Sequence, residues 1–276
     1  MSVAQPCSIV VAALGVGLMW HLLVTQGLAM SRKQTSDTQE EFQFLVGMIL
    51  GLCYLHLGLE WALSSTQLVP GTTKGSRDAT TKEAQEKQST TARSQCVAYL
   101  LTGYPPVLFM AYVGCTTCAE WWAFTGDASD RIYGENLALA GLGFRPLSLV
   151  IGAYQIYSTL ISIFIKDYRT PEAFGHHIST TVLAFLALQP YANYYGYFFF
   201  GFTECTNLSL YFVDFFRVCP EFAAMLPQVN TAFRLIFAAS FIAIRVVLWP
   251  YVTFLFWKDA LEVAGTVVPC TQFNSK

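Results

Sequence analysis

Long apolar segments alternate with shorter polar segments along most of this chain. A helix needs about 20 apolar residues to cross the hydrocarbon of a bilayer. Seven stretches meet this requirement, at residues 8–30, 43–68, 97–122, 146–166, 171–190, 191–217 and 229–257. The pattern therefore predicts an all-α, polytopic membrane protein with about seven transmembrane helices.

The polar segments suggest how these spans are grouped. Residues 1–42 would form an N-terminal transmembrane helix and a short loop, 43–258 a six-helix domain, and 259–276 a C-terminal tail. Inside the domain, residues 69–95 are rich in Thr, Lys, Glu, Gln and Ser. A segment of this composition buries too little apolar surface to order itself, so it predicts a disordered polar loop.

Composition agrees with a membrane bundle and excludes one class of partner. The chain is 54% hydrophobic and only 12% charged, whereas ordinary globular domains carry about 25% charged residues. Its net charge of −2 provides no basic field for nucleic acid. Cys115 and Cys118 have metal or redox spacing, but no second pair or histidine cluster accompanies them. We interpret them as small apolar side chains and expect no metal.

Two adjacent histidines, His176 and His177, are the most informative polar residues. They lie roughly 8–9 Å below the start of the fifth span at Pro171, at ~1.5 Å per residue. Ionisable side chains inside a bilayer are costly and usually face a cavity, a partner or a reacting group. Imidazole transfers protons near neutral pH and can attack acyl groups. Thr180 and Thr181 follow one turn later, where their hydroxyls could fix the ring tautomers.

Other charged residues are predicted at two depths. Near the midplane, Glu204 and Arg245 lie on consecutive antiparallel spans and could pair, which would lower the cost of both charges. A structural ion pair and a functional one are equally open here. His56 and Glu60 are spaced to meet on one helix face. A shallower set lies at the same surface as the histidines: Asp167, Asp214 and Arg234.

Three motifs in order resemble those of one known family. Residues 166–183 read Lys-Asp-Tyr-Arg-Thr-Pro-Glu-Ala-Phe-Gly-His-His-Ile-Ser-Thr-Thr-Val-Leu. Residues 202–211 read Phe-Thr-Glu-Cys-Thr-Asn-Leu-Ser-Leu-Tyr, and residues 230–251 carry Arg245 and then a proline. This order resembles the signature of the TLC-domain family (TRAM, LAG1 and CLN8 homologues), most clearly over residues 145–255.

The resemblance implies six helices, here spans two to seven, around a lipid-accessible cavity. Ceramide synthases of this family transfer a fatty acyl group from acyl-CoA to a long-chain base, using the paired histidines. Carried over, His176 and His177 would be the general base or the acyl-accepting nucleophile, and Asp167 and Glu204 would orient them or balance their charge. The substrate-binding residues would be Thr180, Thr206, Asn207, Arg245, His56 and Glu60.

The second motif departs from that of the ceramide synthases. Those enzymes usually show His-Asp and a further Asp there, whereas this chain has Thr203, Glu204 and Asn207. The motif is more similar to the TLC-domain-containing branch, whose members affect membrane phospholipid composition. The leading hypothesis is therefore an integral membrane protein that binds acyl lipids, either as an acyl-CoA-dependent acyltransferase or as a factor that sets membrane lipid composition.

An alternative hypothesis is a non-catalytic structural or lipid-binding subunit of a larger membrane complex. Abundant aromatic residues between Tyr194 and Phe200 are consistent with it. A transporter or proton pathway ranks last, because no paired broken helices are visible. Acyl-CoA is expected as a co-substrate without a resident cofactor, and membrane lipids as partners. The endoplasmic reticulum is the favoured membrane, with other organelles, including the mitochondrial inner membrane, as alternatives.

Overall fold

The computed structural model describes residues 17, 18, 21, 25, 38–66, 79–134, 137–189 and 191–267. Residues 17, 18, 21 and 25 of the predicted first span are helical. The remainder of that span lies outside the described residues, and so does the segment 67–78.

Helices make up nearly all of the described chain. The α-helices are α1 (Thr38–Thr66), α2 (Ala79–Ala123), α3 (Ala128–Tyr133), α4 (Phe144–Ser162), α5 (Pro171–Leu186), α6 (Asn193–Gly196), α7 (Cys205–Val218), α8 (Pro220–Met225), α9 (Pro227–Phe241) and α10 (Trp249–Val267). Between α3 and α4 lies an antiparallel hairpin of β1 (Ala138–Leu139) and β2 (Leu142–Gly143), which pairs Ala138 with Gly143. Four other helical segments complete the list: 3₁₀-helices at Lys166–Tyr168 and Phe202–Glu204, and π-helices at Tyr197–Gly201 and Ile242–Leu248.

Three helical stretches of the described chain are long and apolar enough to cross a membrane: Thr38–Ser65, Thr91–Ala123 and Pro227–Gly265. They correspond to the second, third and seventh predicted spans. The fourth and fifth predicted spans are shorter as helices, with 19 residues in α4 and 16 in α5. The chain is thus a helical membrane protein, and a total of seven spans stays a prediction.

The polar segment 69–95 differs from the prediction. Helix α2 already begins at Ala79, so residues 79–95 are helical, and the prediction of a disordered loop is wrong for this part. The segment contains Ala, Glu, Gln and Lys, which are all strong helix formers. Its polar composition therefore reflects a helix that begins before the apolar part of α2.

Helix α5, which carries the histidine pair, begins where the sequence predicts. Thr170 is its N-cap, and the threonine hydroxyl accepts a hydrogen bond of 3.2 Å from the backbone N–H of Ala173. Pro171 occupies the first helical position, where its missing N–H costs nothing. This start fixes the depth of His176 and His177 along the helix.

Helix α2 lies at the centre of the bundle and the last two helices lie at its edge. The apolar window of α2 is 78% buried within the structure, whereas that of Pro227–Gly265 is only 11% buried. Helix α2 packs against α1, α4 and α7, and α4 packs extensively along α5. The final helices therefore present most of their apolar surface to lipid.

Two bidentate ion pairs join helices far apart in the sequence. Arg131 on α3 binds both carboxylate oxygens of Asp259 on α10, at 2.5 and 2.9 Å, and the Tyr195 hydroxyl donates to the same carboxylate. The hydrogen bond to Asp259 raises the pKa of the Arg131 guanidinium. Arg145 on α4 binds Glu41 on α1 at 2.5 and 2.7 Å. These planar two-point contacts fix orientation as well as distance.

Close contact between α2 and the first π-helix depends on glycine. A Cβ on Gly201 would lie 2.9 Å from Cα of Gly114, and a Cβ on Gly114 would collide with the backbone of Gly201 and Phe202. Such backbone neighbours cannot move aside as a flexible side chain can. The two chains therefore approach each other here only because neither residue has a side chain.

We expect Gly114→Ala to lower the free energy of unfolding by about 1–3 kcal/mol or more, because the added methyl overpacks this contact. Gly58→Ala on α1 is the matched control, since no atom lies within 4 Å of its added Cβ. Thermal unfolding of both variants in the same detergent measures the difference. Equal midpoints for the two variants would contradict the close contact.

Candidate functional site

The two histidines occupy different environments on α5. His176 is exposed and His177 is half-buried. Their ring centroids lie 5.8 Å apart and the ring planes are tilted by 58°. Adjacent helical residues point about 100° apart, so the rings diverge as the sequence predicts. One ring is therefore accessible while the other is partly sheltered.

The hydroxyls one turn later do not bind the imidazole rings. Thr181 donates to the backbone carbonyl of His177 at 2.8 Å, and Ser179 donates to that of His176 at 3.0 Å. The predicted ring-to-hydroxyl contacts with Thr180 and Thr181 are therefore not formed among the described residues. Nδ1 of His177 is buried and has no hydrogen-bond partner there. A buried ring nitrogen without a partner points to a group that the protein itself does not supply.

One face of α5 is exposed. This helix packs along α4 and makes little contact with α7 or α9. Ala184 is its buried residue, whereas apolar side chains such as Ile178 and Val182 are exposed. Arg245, in the π-helix Ile242–Leu248, is near enough for its charge to act on His176. The accessible imidazole thus has exposed apolar side chains on its own helix and a positive charge nearby.

The predicted pair of Glu204 and Arg245 is confirmed. Nη2 of Arg245 lies 3.7 Å from a carboxylate oxygen of Glu204, whose side chain is 9% exposed. Asn207 donates to the other carboxylate oxygen at 2.7 Å. Arg245 also donates to the Thr206 hydroxyl at 3.4 Å and to the Thr203 carbonyl at 3.3 Å. The contacts with Glu204, Thr206 and Thr203 together hold the Arg245 guanidinium in one orientation.

Both members of this pair lie where the helices are irregular. Glu204 ends a 3₁₀-helix that directly follows the π-helix Tyr197–Gly201, and Arg245 lies inside the second π-helix. The Arg245 guanidinium also lies over the Trp249 ring, 5.0 Å from its centroid. Segments of π-helix occur frequently at functional sites. These two irregular segments were not predicted, because each lies inside a mostly apolar stretch whose composition suits a regular helix equally well.

His56 and Glu60 meet as their spacing predicts, but away from the other histidines. The His56 ring lies 3.9 Å from the Glu60 carboxylate and 3.1 Å from the Tyr157 hydroxyl. Gln95 donates to Glu60 at 3.0 Å. These contacts join α1, α2 and α4 in the interior. A role for His56 and Glu60 in binding substrate stays a prediction.

Asp167 and Glu204 are not in contact with the imidazoles. Asp167 is exposed, and the Cys96 thiol lies 3.8 Å from its carboxylate. Within the described residues no hydrogen bond or ion pair joins Asp167 or Glu204 to His176 or His177. Among the described residues, Glu204 is linked to His176 through Arg245, which binds Glu204 and whose charge acts on His176. Its role in orienting or balancing the histidines stays a prediction, as does that of Asp167.

A set of buried tyrosines was missed by the sequence analysis. The hydroxyls of Tyr154 and Tyr211 lie 2.6 Å apart, and the Tyr99 ring packs against Tyr157 and Tyr168. Nearby buried polar atoms without a partner in the described chain belong to Thr102, Gln155, Ser158, Ser162 and Tyr168. The polar spacing along α4, at residues 154, 157, 158 and 162, is the signal that could have revealed this face.

The aromatic run between α6 and α7 is mostly internal. Tyr194, Tyr195, Tyr197 and Phe198 are buried, and Trp121 stacks on Tyr194 with ring centroids 4.8 Å apart. These rings fill the end of the bundle near α2. These four rings therefore belong to the interior of the chain, and membership of a larger complex stays a prediction.

Cys115 has a partner that the sequence did not indicate. Its sulfur lies 3.2 Å from that of Cys205 at the start of α7. Among the described residues no group of three or more His, Cys, Asp or Glu side chains could hold a metal ion. The sulfur–sulfur contact shows that α2 packs against the start of α7 at this point.

We expect a mild oxidant, copper phenanthroline with dissolved oxygen, to join Cys115 and Cys205 in a disulfide. Each thiol loses its proton and one electron, and oxygen accepts both electrons. Peptide mass mapping would identify the linked pair, and Cys205→Ser should abolish it. Preferential linkage of Cys115 to another cysteine would contradict the packing of α2 on α7.

We expect Arg245→Gln to lower the free energy of unfolding by about 3–5 kcal/mol, because it leaves the Glu204 carboxylate buried without its counter-ion. Arg234→Gln is the matched control: Arg234 is exposed on α9 and bonds Asn230 within its own helix, so its loss should cost about 0.5 kcal/mol or less. Denaturant unfolding in detergent measures both. The double change Glu204→Gln with Arg245→Gln should cost less than the sum of the single changes; strict additivity would refute the coupling.

Comparison with known proteins identifies the family of this chain. No curated protein and no solved structure shows significant similarity to this chain. A family model described as the TLC domain matches residues 94–274. This range runs from α2 to beyond α10 and contains the histidine pair, Glu204 and Arg245. The match covers well over half of the chain, and the chain therefore belongs to the TLC-domain family.

Proposed function

We propose that this chain binds an acyl lipid along the exposed face of α5 and transfers its acyl group by means of His176 and His177. As a TLC-domain protein with apolar membrane-length helices, the chain is an integral membrane protein related to lipids. The observation that carries the finer proposal is the accessible imidazole of His176, with the charge of Arg245 acting on it. The unpartnered Nδ1 of His177 supports it.

The exposed face of α5 suits the apolar part of an acyl donor. The exposed side chains of Ile178, Val182 and Leu183 lie on α5. An acyl chain can replace lipid chains against these side chains with little change in apolar area. The chain would therefore lie along the helix, which brings the acyl carbonyl to the depth of the histidines.

His176 is the reacting group in this proposal because its ring is the exposed one. Its imidazole either attacks the acyl carbonyl or takes the proton of the acceptor that attacks it. When the imidazole attacks, an acyl–nitrogen bond forms as the acyl–sulfur bond breaks, and the acceptor then displaces the imidazole from the acyl carbon. When the imidazole acts as a base, the acceptor attacks the acyl carbon directly and the acyl–sulfur bond breaks. The proton lost by the acceptor passes through an imidazole to the departing thiolate. Neither route requires a resident cofactor.

Arg245 would stabilise the negative charge that develops on the acyl oxygen. A cation held in place before the reaction does this without the cost of reorganisation. Glu204, Thr203 and Thr206 hold the Arg245 guanidinium through the contacts described above. Glu204 therefore acts in this proposal as a positioning residue for Arg245, not as a partner of the imidazoles.

We expect purified protein to transfer label from acyl-CoA to one member of a panel of long-chain bases, other amines and lysophospholipids. The double variant His176→Ala with His177→Ala should lose activity by a factor of about 10²–10⁴, the usual contribution of acid–base catalysis. His21→Ala is the control, because His21 is exposed on a different helix. Unfolding midpoints would show that all variants are folded.

Two outcomes of this experiment separate the hypotheses. Unchanged turnover in the double variant would remove the histidines from the reaction. Failure of the native protein to transfer label to any acceptor, combined with co-purification at fixed stoichiometry with other subunits, would favour the non-catalytic alternative. A labelled acyl group that stays on the protein and maps to His176 would identify the nucleophilic route.

A further inference from the structure

A pocket of about 350 Å³ lies at the end of the bundle where α5 begins. The 3₁₀-helix Lys166–Tyr168, the first apolar turns of α2 and the junction of α7 with α8 form its walls. Its lining includes Arg93, Cys96, Asp167, Tyr168, Arg217 and Pro220. The volume falls at the lower end of the range of small-molecule sites, about 300–1,000 Å³. Of the candidate residues for acyl transfer, Asp167 lines this pocket, and within the described residues no hydrogen bond or ion pair joins it to the imidazoles.

Arg217 supplies positive charge at the pocket, and Arg93, which also lines it, is held by Glu221 at 3.0 Å. The side chain of Arg217 is 58% exposed, and its Nη2 lies 3.0 Å from Asp214. A guanidinium carries five N–H donors in a planar fork, so this contact through one nitrogen leaves other donors of Arg217 for a ligand. The carboxylate of Asp214 holds the guanidinium in position. Arginine in such a setting binds phosphate oxygens at two points.

The 3₁₀-helix Lys166–Tyr168 supplies a negative charge and an aromatic ring. The exposed carboxylate of Asp167 and the ring of Tyr168 line the pocket there. The Tyr168 hydroxyl is buried and has no hydrogen-bond partner among the described residues. A carboxylate beside an aromatic ring binds an ammonium group by charge and by cation–π attraction. The pocket therefore offers sites for an anion and for a cation within one small volume.

The position of the pocket indicates where such a ligand would come from. It lies at the N-terminal end of α5 and the C-terminal end of α7. In a protein whose helices lie in a bilayer, helix ends lie at the depth of the lipid headgroups. A phospholipid bound here could keep its chains against the apolar helix faces while its headgroup enters the pocket.

We propose that this pocket binds the zwitterionic headgroup of a membrane phospholipid, with the phosphate at Arg217 and the ammonium at Asp167 and Tyr168. Neither His176 nor His177 lines the pocket, and binding here does not depend on acyl transfer. A phospholipid held here would be a structural lipid of the bundle.

Binding of short-chain lipids to the full chain in detergent tests the proposal. Native mass spectrometry would count retained dihexanoyl phosphatidylethanolamine, with dihexanoyl phosphatidic acid, coenzyme A and inorganic phosphate as separate probes. Loss of a charged hydrogen bond costs about 1.5–3 kcal/mol, so Arg217→Gln should weaken phosphatidylethanolamine and phosphatidic acid binding about tenfold or more. Asp167→Asn should weaken phosphatidylethanolamine binding alone.

Arg169→Gln is the matched control, because Arg169 is exposed in the same connection but does not line the pocket. It should leave binding unchanged. Asp167→Asn changes an exposed side chain, so it tests the cation side even if Arg217→Gln fails to fold. Equal binding of phosphatidylethanolamine by native protein and both variants would overturn the proposal. Coenzyme A or inorganic phosphate binding more tightly than the lipid, with no effect of Asp167→Asn, would show a simple anion site instead and would also overturn it.

Discussion

The ion pair of Glu204 and Arg245 is the constraint on which the arrangement of this bundle depends. The apolar window within Pro227–Gly265 is only 11% buried, and the main neighbour of α9 is α7. A charge left alone in hydrocarbon is costly, and this cost falls when Arg245 lies against Glu204 and Thr206. Nearer the C-terminal end of the same stretch, Asp259 binds Arg131 of α3. These two polar contacts join the last helical stretch to the rest of the bundle.

The same pair connects the bundle to the candidate site. The π-helix that contains Arg245 turns its side chain toward Glu204, Thr203 and Thr206, and the same guanidinium acts on His176. In a regular α-helix the side chain of Arg245 would point in a different direction about the helix axis, because a π-turn contains one more residue than an α-turn. The close contact of Gly114 with Gly201 holds α2 against the chain three residues before Glu204. The geometry at the histidines therefore depends on backbone irregularities in two other helices.

Local patterns in the sequence predicted local structure well. The N-cap at Thr170, the contact of His56 with Glu60 and the depth of the histidines all follow from helical spacing within one segment. The pair of Glu204 and Arg245 was predictable because consecutive antiparallel spans place residues of equal depth side by side. Contacts such as Arg131 with Asp259, or Cys115 with Cys205, depend on how each helix is rotated about its axis. Periodicity contains no information on that rotation for helices that are apolar all round, and so these contacts were missed.

The open face of α5 bears on how a substrate would reach the histidines in the proposed reaction. An enclosed site must open before a long acyl chain can enter, whereas an exposed helix face admits the chain sideways from the bilayer. The exposed apolar residues of α5 then contact lipid before and after binding, so entry of a chain changes little apolar area. Affinity would consequently come mainly from the polar end, at Arg245 and the unpartnered nitrogen of His177. This argument favours an acceptor that also resides in the membrane, because a water-soluble acceptor would have to cross apolar surface to meet His176.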